Sequence, residues 1–219
     1  MANKNPIEDD LLVDVQEVYS KTEHFIDQNQ KPLTFGIGGV VVVVLGVLAY
    51  QSFVVRPAIE EAETEAWRAE SYFAQDSLNL AAFGDGIDMG LDGIADKFSS
   101  QVAGDRANYE LGVYHRDLGE YSEAIARFEE AVGIGDGVVS VLAQGGIGDC
   151  HVELGDYEAA ARAFKAAASA GASSSAEAVL APMFLYKAAI AHMELGNTGE
   201  AASLLEEVVS AFPESQHFS

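Results

Sequence analysis

Three stretches of the chain align with one another without gaps, and this repetition restricts the fold more than any other feature. They read HRDLGEYSEAIARFEEA (115–131), HVELGDYEAAARAFKAA (151–167) and HMELGNTGEAASLLEEV (192–208). In each copy a turn glycine is followed after five residues by an alanine, and after four more by a large apolar residue. Small residues allow two helices to cross closely, and the large side chain fills the space beside the crossing. The pattern predicts an all-α solenoid of stacked helical hairpins.

The repeated pattern resembles the tetratricopeptide repeat. The first two copies match that family closely through Gly112, Gly119, Tyr121, Ala124, Phe128, Ala131 and through Gly148, Gly155, Tyr157, Ala160, Phe164, Ala167. The third copy departs from it, with Thr198 in place of the turn tyrosine and Val208 in place of the last small residue. The turn glycines lie 36 and 41 residues apart, which exceeds the family's usual spacing of about 34. We therefore expect enlarged linkers over 132–140 and 168–180.

Residues 33–55 carry no charge and read LTFGIGGVVVVVLGVLAYQSFVV. Roughly 20 apolar residues span the core of a bilayer. The run is longer than the apolar region of a signal peptide, and it begins far from the N-terminus. We therefore expect one retained transmembrane helix, with the preceding segment in the cytoplasm. Lys21 and Lys31 are balanced by Arg56 and Arg68, so the charges do not decide the orientation.

The chain divides around this span into an N-terminal segment, 1–32, and a helical repeat domain, 56–219. Apolar residues at helical spacing in the N-terminal segment predict an amphipathic helix that meets a partner helix, with an unstructured tail as the alternative: Leu11, Leu12, Val15, Val18, Tyr19, Thr22 and Ile26. The repeat domain is expected to contain units near 58–98, 105–138, 141–174 and 182–215. The first unit is degenerate and pairs helix 58–75 with helix 88–98 across a loop, 76–90.

The chain is strongly acidic, with 35 Asp and Glu against 12 Lys and Arg and a net charge of −23. Phosphate groups are bound by Lys and Arg, so this balance excludes a general nucleic-acid binder and a surface that adheres to anionic lipid. A lysine-poor acidic surface stays hydrated in high salt, which predicts a saline habitat or a salt-rich compartment. Cys150 is the only cysteine, so no internal disulfide and no cysteine-based metal cluster can form.

No catalytic motif is complete. HRDLG at 115–119 resembles a kinase catalytic loop, but Ser122 stands where the loop requires Asn, and the other copies explain the wording as repeat sequence. Asp85 and Asp88 are too few for a calcium loop. The equivalent His115, His151 and His192 would lie roughly 10 Å apart on stacked helices, too far for shared ligation. We expect no enzyme activity, no cofactor and no metal.

The resemblance to the repeat family implies a concave groove lined by the first helix of each hairpin. The groove positions transferred to this chain are Arg106, Tyr109, Val113, Arg116 and Asp117, then Leu142, Gly145, Asp149, Val152 and Glu153, then Met183, Tyr186, Ile190, Met193 and Glu194. Tyr, Met and aliphatic side chains suit apolar segments of a polypeptide, and the two arginines could grip a carboxylate. A neighbouring repeat or the chain's own C-terminus could instead cover these residues.

The stretch VYSKTEHFIDQNQK, the uncharged span, EAWRAESYFAQDS and the following GDG turn look like a family of bacterial inner-membrane repeat proteins of the Bacteroidota type. That family is similar in architecture to the ancillary subunit of the Sec translocon. The resemblance implies a membrane-anchored adaptor of the bacterial inner membrane with a periplasmic repeat domain. Its implied partners are the translocon, periplasmic chaperones or client polypeptides. A scaffold for cell-envelope assembly or division is the alternative, and the oligomeric state stays open.

Overall fold

The computed structural model describes residues 23, 25–132, 137–172, 176–213 and 215, and it divides the chain into two compact units, Met1–Pro57 and Ala58–Ser219. In the first unit, helix α1 spans Gln30–Tyr50 and is followed by a π-helical segment, Gln51–Val55. No residue of α1 is buried. By length and composition, this helix is able to cross a membrane. Most of the predicted amphipathic stripe, residues 11–22, lies outside the described residues, whereas Ile26 is exposed.

The described part of the second unit is built of helices without a β-strand, which confirms the predicted all-α class. Its helices are α2 (Arg56–Ala74), α3 (Leu78–Phe83), α4 (Leu91–Lys97), α5 (Val102–Asp117), α6 (Tyr121–Ala131), α7 (Gly137–Glu153), α8 (Tyr157–Gly171), α9 (Glu177–Glu194) and α10 (Thr198–Ala211). From α5 onward, each odd-numbered helix packs against the next helix as a hairpin, and successive hairpins stack.

The three hairpin turns share one backbone geometry. Their glycines, Gly119, Gly155 and Gly196, have φ angles of +77°, +74° and +74°. An L-residue with a side chain is strained in this left-handed region, whereas glycine is not. In each turn, the amide after the glycine donates to the histidine carbonyl five residues earlier at 2.9 Å. This closure satisfies carbonyls that the first helix leaves free at its end.

The crossing within a hairpin depends on a glycine facing a phenylalanine. A Cβ atom added to Gly112 would lie 2.5 Å from the ring of Phe128, and one added to Gly148 would lie 2.5 Å from the ring of Phe164. Phe128 is 0% and Phe164 2% exposed. The repeat pattern predicted this contact, because a small residue on the first helix makes room for a ring on the second.

Three segments that were expected to be irregular are partly helical, and the prediction of long loops there was wrong. Helix α3 lies inside the expected loop 76–90, and its Ala81 and Ala82 are fully buried. Helix α7 begins at Gly137, inside the expected linker 132–140. Helix α8 continues to Gly171 and α9 begins at Glu177, both inside the expected linker 168–180. Ala168, Gly171 and Leu180 are buried there, so small residues that suggested a flexible linker serve close packing.

Candidate protein-binding groove

The predicted groove positions lie on α5, α7 and α9, the first helices of the three hairpins. Of these positions only Gly145 is buried, and the ring of Phe184 fills the space that a side chain at Gly145 would need. Six positions drawn from all three helices line one small pocket of about 100 Å³: Tyr109, Arg116, Leu142, Gly145, Asp149 and Met183. The structure therefore brings the centre of the predicted groove together.

The floor of this pocket is aromatic, and the sequence pattern did not assign it to the groove. Phe128 and Phe184 line the pocket beside Gly145 and Gly146 of α7. A Cβ atom at Gly146 would lie 2.7 Å from the Phe128 ring, so the two glycines let rings from neighbouring hairpins reach the same helix. The only available signal was the GG pair itself, which a helix would otherwise disfavour.

Lys187 is the other pocket residue that was missed, and it joins two repeats. Its Nζ donates to both carboxylate oxygens of Asp149, at 2.7 and 2.9 Å. The same Nζ lies 5.4 Å from the centroid of the Phe164 ring and 5.9 Å from that of Phe184. A cation over aromatic faces and a charge-assisted contact both stabilise this arrangement. Lys187 therefore ties α9 to α7 across the groove.

Arg106 does not await an external ligand, contrary to the prediction that it could grip a partner's carboxylate. Its guanidinium donates to Glu63 from Nη2 at 2.7 Å and to Glu70 from Nε at 3.0 Å. Both glutamates belong to α2. They hold the pKa of Arg106 above its ordinary value, chiefly through the hydrogen bond that Arg106 donates to Glu63. Arg106 thus connects α5 to α2.

Arg116 is also paired, although within its own helix. Its Nη2 lies 2.9 Å from a carboxylate oxygen of Asp117. Tyr109 and Cys150 lie within its electrostatic reach, and burial raises the pKa of both, that of Cys150 to about 11. The thiol is therefore neutral at physiological pH, as expected of a small buried side chain.

Lysines and arginines pair with carboxylates of the chain throughout the second unit. All eight of its lysines and arginines form an ion pair with a carboxylate: Arg68, Lys97, Arg106, Arg116, Arg127, Arg162, Lys165 and Lys187. Six of these pairs join different helices or a helix and a loop. Among the described residues of this unit, no lysine or arginine is therefore left without a carboxylate partner from the chain itself. The structure does not support the predicted grip on a partner's carboxylate.

The open part of the groove lies on α9. Tyr186, Ile190 and Met193 are 45%, 42% and 57% exposed. They are four and three residues apart, so they form one stripe along the helix. We call these three residues the α9 stripe. The remaining predicted positions are half-buried at Val113 and Val152 and exposed at Glu153 and Glu194.

The repeated histidines do not converge. His115 Nδ1 lies 2.7 Å from Glu120 of the adjoining turn. The Nδ1 atoms of His151 and His192 are enclosed without a hydrogen-bond partner among the described residues. In that part of the chain, no three His, Cys, Asp or Glu side chains are grouped as a metal would require. Asp85 accepts hydrogen bonds from two amides of its own turn and from Tyr72, and these bonds lower its pKa.

Stacked hairpins with an exposed stripe along one first helix define a helical-repeat protein. The comparisons specify the class further. Two family models, both described as Tetratricopeptide repeat, match the chain, one at residues 99–139 and 109–177 and the other at 184–215. These ranges contain α5 to α8, most of α9 and all of α10, and together they cover about half of the chain, which belongs to the tetratricopeptide-repeat family.

A solved structure supports the same fold. The chain is similar to a Podosopora anserina protein described as a kinesin light chain with nearly identical TPR-like repeats, with a TM-score of 0.53 and 17% sequence identity. The match covers 90% of this chain and 94% of the other. At this identity the likeness concerns the fold alone. The comparison with curated proteins gave no match.

Proposed function

We propose that this protein is a membrane-anchored, non-enzymatic adaptor that binds apolar segments of other polypeptides at the cell envelope. Tetratricopeptide repeats are protein-interaction modules, and this supports the adaptor role. The anchor is supported by the uncharged run 33–55 and by α1, none of whose residues is buried. A core helix of a soluble protein would bury such residues, whereas a lipid-facing helix would not.

The observation that carries the binding role is the α9 stripe. Its three side chains offer an aromatic ring, a β-branched residue and a flexible thioether, all exposed. Met and Tyr adapt to differently shaped apolar partners. Since each cation near the groove is already paired with a carboxylate of the chain, apolar contact supplies the attraction. The ligand best suited to this surface is an extended or helical segment with apolar side chains at regular spacing.

The cellular setting is proposed from the resemblance of the N-terminal half to bacterial inner-membrane repeat proteins. We place the protein at the bacterial inner membrane, with the repeat domain in the periplasm and with the translocon, its chaperones or their clients as partners. Protease treatment of intact spheroplasts tests this topology. Digestion of the repeat domain in intact spheroplasts supports the periplasmic location, and protection until the spheroplasts are lysed would contradict it.

The binding role is tested by co-purification from native membranes after mild crosslinking. Ile190→Glu and Met193→Glu place a charge in the α9 stripe and should abolish recovery of partners. Val209→Glu is the matched control, because Val209 lies on α10 and is 58% exposed. The proposal is supported if the wild type and Val209→Glu recover translocon or chaperone components and the two α9 variants do not. Equal recovery by all variants would overturn it, and septal components would favour the scaffold.

A further inference from the structure

The buried side chains by which helix α2 contacts the rest of the second unit are all small. Its buried residues are Ala62, Ala66 and Ala69, and each contributes one methyl group. These alanines share a core cluster with Leu91 and Ile94 of α4 and with residues of α5. The rings of Tyr72 and Phe73, near the end of α2, are only partly buried against the same cluster. Buried apolar area sets the strength of such a contact, so the three alanines add little to it.

Ion pairs supply the rest of the attachment. Glu63 and Glu70 meet Arg106 of α5, as described above. Lys97 of α4 lies 2.9 Å from Glu61 and 4.0 Å from Glu65. Four carboxylates of α2 therefore depend on two cations of the neighbouring helices, and partly exposed pairs of this kind respond to charge and salt.

A further carboxyl group lies within this contact. Glu110 follows Arg106 by one helical turn on α5, and its Oε2 is enclosed without a hydrogen-bond partner among the described residues. Two charged groups of the described chain act on it, Glu70 by repulsion and Arg106 by attraction. Burial, followed by the repulsion from Glu70, raises the pKa of Glu110 to about 7. Its ionisation thus occurs near neutral pH.

We propose that the contact between α2 and α5 is a pH-dependent latch, in which protonated Glu110 permits α2 to dock and ionised Glu110 loosens it. Ionisation adds a third carboxylate beside Arg106, which already binds Glu63 and Glu70. The new charge repels Glu70 and must be hydrated. Both effects oppose the docked arrangement. The latch decides whether the first helix of the repeat domain is packed on the others or loose.

Hydrogen–deuterium exchange of the full chain in detergent micelles tests this latch at pH 5.5 and pH 8. Protection factors, corrected for the intrinsic rate at each pH, are compared for peptides covering 58–74 of α2 and 157–171 of α8. In the wild type, the protection of α2 should fall about tenfold or more at pH 8, whereas that of α8 should not change.

Two variants separate the latch from general destabilisation. Glu110→Gln, which keeps the shape and removes the charge, should leave α2 protected at both values of pH. Glu129→Gln is the control, because Glu129 is an exposed residue of α6. In this variant the protection of α2 should fall at pH 8 as it does in the wild type. Arg106→Gln should loosen α2 at both values of pH. Equal protection of wild-type α2 at pH 5.5 and pH 8, or an unchanged loss in Glu110→Gln, would overturn the proposal.

Discussion

The crossing of α5 and α6 gives the sharpest test of the packing. The effect of Gly112→Ala on the free energy of unfolding should change sign when Phe128 is also replaced by alanine. Gly112→Ala adds a methyl group 2.5 Å from the Phe128 ring, well inside contact distance. The ring cannot retreat easily, since Gly146 lies close to it from α7. Overpacking of this kind costs about 1–3 kcal/mol. The better helix propensity of alanine offsets about 1 kcal/mol, so a net loss of up to about 2 kcal/mol is expected.

Phe128→Ala removes a fully buried ring, which costs about 3–5 kcal/mol, and leaves a space beside Gly112. In that background, Gly112→Ala should stabilise the protein by up to about 1 kcal/mol, because the methyl group enters the space and the propensity gain remains. The coupling free energy between the two sites then equals the overpacking cost, about 1–3 kcal/mol, within the range of directly contacting residues.

Urea denaturation of the full chain in detergent, followed by circular dichroism, measures the four free energies of unfolding in this cycle. Gly199→Ala is the control, because no atom lies within 4 Å of the added methyl group, and it should be neutral or stabilising. If Gly112→Ala has the same effect in both backgrounds, the account of the crossing is refuted.

Three further predictions concern charge and backbone. Because the pKa of Glu110 is raised from 4.5 to about 7, the unfolded chain releases this proton first, and the unfolding free energy should fall as pH rises from 4.5 to 7. The fall is at most about 3 kcal/mol, and solvent screening of the partly exposed carboxyl makes it smaller. Urea denaturation of Glu110→Gln at the same pH values should show no such fall. Gly155→Ala, at a φ of +74°, should cost about 1–2 kcal/mol, measured against Gly199→Ala. Finally, the net charge of −23 predicts a melting temperature that rises from dilute buffer to molar salt, and an unchanged value would contradict the expected salt adaptation.

The sequence was sufficient to predict the hairpins, because their determinants are local. The turn glycines and the pairing of Gly112 with Phe128 recur at fixed spacing, so comparison of the copies identifies them. The ends of helices were less predictable. Ala81 and Ala82 sit among turn residues, and only their burial against other helices explains why they belong to a helix. Ala168 and Gly171 were misjudged for the same reason.

The charged residues of the groove could not be interpreted from sequence, because their partners are distant along the chain. Arg106 meets residues 36 and 43 positions away, and Lys187 meets one 38 positions away. An arginine on a groove helix looks the same in sequence whether it awaits a ligand or joins two repeats. The α9 stripe was predictable, since its spacing and composition describe one helix face and need no partner to be recognised.

Site-specific photocrosslinking in native membranes tests the central claim most directly. A photoreactive amino acid is placed at Met193 in the α9 stripe and, in a separate variant, at Val209 on α10, since the two residues are 57% and 58% exposed. The account predicts discrete adducts with other envelope proteins from position 193 and few or none from position 209. Equal adducts from both positions, or none from position 193, would contradict a binding groove on α9.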